Sequence, residues 1–200
     1  MIIDNSEKIK NFLKFSDGGF FIIYVYQRYK DREGAPSRGA FVREHDNILS
    51  YYFAKDDETF DKCFELAKKE AIETKSRVYV STFRINGQAI MDKLGIDLNG
   101  EPHAWHFEKG FLHDAFIFTE YFYILIDVDE EYADKVEDIL GRVKFLANYS
   151  GDGRIFAVPT RHGYHIVSSS FNNNQLLLNY PFLYITFFGG VMLYYFSEQD

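Results

Sequence analysis

The chain has 200 residues, 46% of them hydrophobic and 18% aromatic, with 22 Lys and Arg against 30 Asp and Glu, for a formal charge of −8. So many aromatics exclude a disordered chain, which lacks the apolar surface to offset its conformational entropy. The acidic balance excludes a protein that coats nucleic acid through a broad basic surface, and the single cysteine, Cys63, excludes an intrachain disulfide.

The opening Met-Ile-Ile-Asp-Asn-Ser-Glu-Lys carries charge too early for a secretory signal. Together with the lone cysteine it points to a reducing, cytoplasmic setting. Ser6 to Phe15 reads as a short helix, with Ile9, Phe12 and Leu13 on one face. Gly19 to Tyr29 is a strand rich in aromatic and β-branched residues, and Lys30 to Arg38 a polar loop. Ala40 to Phe53 supplies one or two further strands. Asp56 to Thr74 is the clearest helix, with Phe60, Cys63, Phe64 and Ala67 as its apolar stripe and Asp57 or Thr59 as its cap. Arg77 to Phe83 is a strand and Gln88 to Leu94 a short helix. Phe111 to Glu120 is compatible with helix or strand.

Tyr121 to Val128 is an apolar run typical of a strand covered on both faces. Glu130 to Phe145 follows as a helix, and Gly151-Asp152-Gly153 as a turn. Arg154 to Val158 and Gly163 to Ser168 read as strands, and Leu176 to Leu178 as the start of a short helix. Tyr180 to Phe196 contains no charge. A spanning helix needs roughly 20 apolar residues. Pro181, Gly189-Gly190 and the aromatic, β-branched content instead make this run a closing β-hairpin without membrane contact. Such an uncharged hairpin is a candidate interface for a homo-oligomer.

The alternation predicts an α/β protein of the α+β kind. It forms one compact unit over 1–200, with lobes at 1–100 and 118–200. The second lobe is expected to hold a ferredoxin-like or RNA-recognition-type sheet that ends in the hairpin.

Two segments carry candidate chemistry. Ile124-Leu125-Ile126-Asp127-Val128-Asp129 places two carboxylates on one face at the end of a buried strand. Hard oxygen ligands so placed suit Mg²⁺ or Mn²⁺, which then bridges to substrate phosphates. Asp129, followed by Glu130-Glu131, equally suits a helix N-cap with an acidic first turn. In Pro159-Thr160-Arg161-His162-Gly163-Tyr164-His165, the glycine relaxes the backbone for a close approach, and Arg161 and His165 are potential phosphate donors. The same segment also reads as a turn feeding a strand, with His165 partly buried.

Together the two segments resemble the archaeo-eukaryotic primase superfamily, which includes primase-polymerases of plasmids, phages and mobile elements. The resemblance covers about Arg77 to Ser169. It consists of an hhhDhD strand end, a helix, and then a (S/T)xxGxH strand about 36 residues on (165−129). It implies that Asp127 and Asp129 hold the divalent metal. It also implies that Thr160, Arg161, Gly163 and His165 bind the triphosphate of an incoming nucleotide, with Asp127, Asp129 and His165 the catalytic set. The implied activity is a DNA primase or polymerase-type nucleotidyl transfer in phage or mobile-element replication, in the host cytoplasm. The segment PTRHGYHIVSSSFN is also similar to small uncharacterised phage proteins.

The superfamily's third acidic motif has no counterpart here. Residues 170–197 contain no Asp, Glu, Lys or Arg. Glu120 and Asp152 are the remaining candidates. A non-catalytic, nucleic-acid-binding or interaction protein on a degenerate primase-like scaffold is therefore the alternative.

Two weaker patterns stand apart. His103, His106 and His113 lack a further ligand at zinc spacing. Arg28, Lys30, Arg32, Arg38 and Arg43 form the densest basic patch, beside Tyr24, Tyr26 and Tyr29, which are candidate base-stacking side chains.

Overall fold

The computed structural model describes residues 1–28, 47–108, 111–150, 153–186 and 189–196. The expected loop at Lys30–Arg38, most of the basic patch and Asp152 lie outside the described residues.

The first sheet combines β1 (Ile2–Asp4), β2 (Gly19–Gln27), β3 (Asn47–Ala54), β4 (Arg77–Asn86), β5 (Thr119–Phe122) and β10 (Gly190–Phe196). Its order is β1-β10-β4-β2-β3, with β5 also paired to β4. The second sheet contains β6 (Ile124–Asp129), β7 (Ile155–Thr160), β8 (Gly163–Ser168) and β9 (Tyr184–Thr186), in the order β7-β8-β6-β9. Every pairing is antiparallel. The helices are α1 (Ser6–Lys10), α2 (Asp57–Thr74), α3 (Gly87–Leu94), α4 (Phe111–Ala115), α5 (Val136–Ser150) and α6 (Asn174–Asn179). The protein is an α+β fold, as its sequence predicts.

Local chemistry sets the helix ends. The cap of α2 is Asp56, not Asp57. Its carboxylate accepts from Thr59 N–H at 2.7 Å, and Thr59 Oγ1 accepts from Asp56 N–H at 3.1 Å. This reciprocal box satisfies two orphan donors of the first turn. The predicted stripe of Phe60, Cys63, Phe64 and Ala67 is buried, and Ala71 extends it. The expected helix at Glu130–Phe145 begins as a 3₁₀ turn over Glu130–Lys135. It becomes regular only at Val136, because Tyr132 sits at φ −115°.

Two apolar runs expected to be single units are each divided between the sheets. Tyr121–Val128 breaks at Tyr123, so β5 belongs to the first sheet and β6 to the second. Tyr180–Phe196 is not a hairpin. β9 pairs with β6, whereas β10 pairs with β1 and β4. Both crossings meet at Thr82 on β4. Its N–H donates to Gly189 O at 2.9 Å and its C=O accepts from Tyr123 N–H at 2.6 Å. The edge of β4 thus changes partner from β10 to β5 at this residue. β10 places Val191 to Tyr195 in the core, so these residues do not form an exposed hairpin surface. The last described strand, β10, also joins the sheet built mainly by the first hundred residues.

Alternation gives each face of the second sheet its own cover. Ile124, Ile126, Val128 and Ile166 pack with Val136, Ile139 and Val143 of α5 and Leu176 of α6. Leu125, Phe156, Val158 and Val167 share a core with Phe21, Val25, Val191 and Leu193 of the first sheet and Phe60 of α2. Among the described residues, no helix is long and apolar enough to cross a membrane.

Candidate functional site

Cover thins along the inner face of β6. Leu125 is 5% exposed, the Asp127 side chain is 45% exposed, and Asp129 is exposed. The face therefore opens toward the strand end that carries both acids. β8 runs beside it in the register Asp127↔His165 and Asp129↔Gly163. Directly opposed residues of an antiparallel pair share a face. Asp127, Asp129 and His165 are thus brought together, with His165 Nε2 3.8 Å from Asp127 Oδ1.

Asp129 occupies the N-cap position of the following 3₁₀ turn, yet its side chain makes no capping hydrogen bond. Burial raises the pKa of Asp127, and the negative charge of Asp129 adds to this, while Arg28 opposes it. A carboxylate under those two pressures is one that a cation relieves.

His165 is only 8% exposed. Its Nδ1 accepts the backbone N–H of Met192 on β10 at 3.2 Å. Burial lowers its pKa to about 4, and the positive charge of Arg77 contributes. The ring is therefore neutral at physiological pH and carries a single N–H.

The β7–β8 turn positions the other expected residues. Thr160 Oγ1 accepts from His162 N–H at 3.4 Å and so serves the turn itself. The Arg161 guanidinium lies 5.3 Å from the Tyr195 ring centroid. Arg77 lies 5.2 Å from the same ring, so Tyr195 gathers two guanidinium groups from different sheets. Gly163 has φ +140°, and a Cβ there would stand 2.0 Å from Val128 O. The close approach it permits in this structure is to the backbone of β6. A shallow depression of about 580 Å³ lies beside this turn, lined by Asp129, Glu130, Glu131 and His162.

No third carboxylate joins the pair from the neighbouring strand. β9 places Tyr184 opposite Asp127, and that tyrosine is 68% exposed. Glu120 lies on β5 in the other sheet, where it accepts from Asn86 Nδ2 at 3.0 Å and lies 3.5 Å from Arg84 Nε. Among the described residues, no three His, Cys, Asp or Glu side chains are grouped to hold a metal. This applies equally to the histidines of the 103–113 region. His103 and His106 each place Nδ1 against a backbone carbonyl, of Glu101 and Leu49 respectively. A two-carboxylate site suits a single Mg²⁺-type ion that keeps several waters and takes further ligands from phosphates.

Tyr24 is not a base-stacking residue. It is 7% exposed and stacked on Tyr79 at 5.7 Å. Three contributors escape a reading based on motifs. Arg77 is 2% exposed at the head of a buried strand. A charge leading the run RVYVSTF was the only sequence signal for it. Tyr195 and Asn5 carry none, because they reach the site only through the return of β10 to the first sheet. Asn5 Nδ2 donates to Met192 O and to Pro159 O, both at 2.9 Å. In comparisons with known proteins, no family model, no curated protein and no solved structure matches this chain.

Proposed function

We propose that the protein is a primase-polymerase-like nucleotide-binding protein that uses a divalent metal. The convergence of Asp127, Asp129 and His165 on one partly open sheet face carries this reading. Asp127 and Asp129 would hold Mg²⁺ or Mn²⁺, which when bound neutralises phosphate charge and orients the nucleotide. His165 donates its remaining N–H to a phosphate oxygen. Arg161 and Arg77 supply positive potential near Tyr195. Nucleotidyl transfer to a nucleic acid is the activity such an arrangement would serve.

The absence of an acid on β9 favours a second reading: a non-catalytic phage or mobile-element protein that binds nucleotide or nucleic acid on the same scaffold. With Tyr184 beside Asp127, the described residues offer two carboxylates for metal, too few to hold a pair of ions firmly.

Mn²⁺-dependent dATP binding and primer extension, compared between wild type and Asp127→Ala, test both. Binding that weakens at least roughly tenfold in the variant, together with extension by wild type alone, supports the polymerase reading. Binding without extension supports the second. No Mn²⁺-dependent binding by either protein rejects the nucleotide site.

A further inference from the structure

β1 ends at Asp4, opposite Tyr194, and the β10 ladder is irregular between Met192 and Tyr194. Here β1 no longer pairs with β10, and side chains meet the Met192 backbone. The Met192 carbonyl accepts from Asn5 Nδ2 at 2.9 Å, and its N–H donates to His165 Nδ1 at 3.2 Å. The second hydrogen of the Asn5 amide goes to Pro159 O at 2.9 Å, one residue before Thr160. A place between two carbonyl oxygens needs two donor hydrogens, which the amide NH₂ supplies and its oxygen could not. Asn5 is itself 6% exposed, and its own N–H donates to Leu193 O at 2.8 Å. One amide therefore clasps the base of the β7–β8 turn to β10, and β10 holds the imidazole.

A nitrogen that accepts a backbone N–H carries no hydrogen, so the other ring nitrogen of a neutral imidazole must carry it. Nε2 faces Asp127 Oδ1 at 3.8 Å, too far for a hydrogen bond. Among the described residues that hydrogen has no acceptor.

We infer that Asn5 is a positioning residue: through Met192 and Pro159 it locks His165 as the Nε2–H tautomer, with that hydrogen aimed into the Asp127–Asp129 face. The use of this hydrogen for a nucleotide phosphate rests on the proposed function above. The locking itself does not.

The experiment is long-range ¹H–¹⁵N correlation NMR of the full chain at neutral pH, which reports which ring nitrogen of His165 is protonated. The wild type is expected to show hydrogen on Nε2 and a bare Nδ1. Asn5→Asp puts a carboxylate against two carbonyl oxygens, so the ring is expected to become a tautomer mixture. Mn²⁺-dependent dATP affinity should fall roughly tenfold, as for other residues that orient a site from behind. Asp127→Ala should keep the wild-type tautomer and lose the dATP. A wild-type ring protonated on Nδ1, or an unlocked mixture in wild type, overturns the inference without any variant. An unchanged tautomer in Asn5→Asp also overturns it. If the tautomers behave as expected and wild type binds no dATP, the clasp stands and the nucleotide reading falls.

Discussion

Acid should weaken this fold through His165 in a defined window. The ring has an ordinary pKa of 6.5 and, once folded, about 4. Between those values the unfolded chain binds a proton that the native chain refuses. Stability is therefore intact above about pH 6.5, declines as the pH falls toward 4, and levels off below that. At 1.36 kcal/mol per tenfold, a window of about 2.5 pH units corresponds to ~3 kcal/mol. Asp127 runs the other way, because its raised pKa lets the native state bind its proton more readily. With a side chain 45% exposed to screening water, it offsets only part of the loss. The variant of choice is His165→Asn, whose Oδ1 retains an acceptor for Met192 N–H without a titrating group. Urea unfolding of both proteins at about pH 7, 5.5 and 4.5 isolates the histidine, since the other titrating groups are common to both. The wild-type stability should fall toward that of the variant by ~2–3 kcal/mol across the series. Parallel curves would refute the assignment of a buried, neutral His165.

Three other outcomes follow from the same geometry. Gly163→Ala should destabilise by roughly 3 kcal/mol or more in thermal unfolding, because its Cβ meets the Val128 carbonyl at 2.0 Å in a backbone conformation at φ +140°; a change below about 1 kcal/mol would mean that β8 does not lie this close to β6. Asp127→Asn should raise the melting temperature at neutral pH while abolishing any Mn²⁺ binding, since it removes a carboxylate disfavoured by burial and by Asp129. That gain should shrink as the pH falls into the carboxyl range, and a lower melting temperature at pH 7 would argue that Asp127 is a stabilising charge instead. Cys63 is 0% exposed with its thiol pushed up to about 12 by burial, so iodoacetamide should label it only at the unfolding rate; prompt labelling of native protein contradicts this.

The sequence by itself determined most local structure. Period-two and period-3.6 patterning is a property of neighbouring residues, so the strand that starts at Gly19, the α2 stripe and the strand–helix–strand–strand succession after Ile124 were legible directly. The shared face of Asp127 and Asp129 followed from alternation alone. Tertiary structure decided the rest. Nothing local distinguishes one apolar strand from two that part company, so the breaks at Tyr123 and Gly189 depended on Thr82 offering an N–H and a C=O to both crossings. The shared face of His165 and Asp127 depended on register, which the pairing of β6 with β8 settles. Gly163 illustrates the limit most plainly. Its residue type announced a close approach, but only the fold revealed that the approaching atom is the Val128 carbonyl. Asn5, Arg77 and Tyr195 reach the site because the final strand returns to the first sheet, and a contact between residues nearly 190 positions apart (Asn5 to Met192, 187) leaves no trace in either neighbourhood.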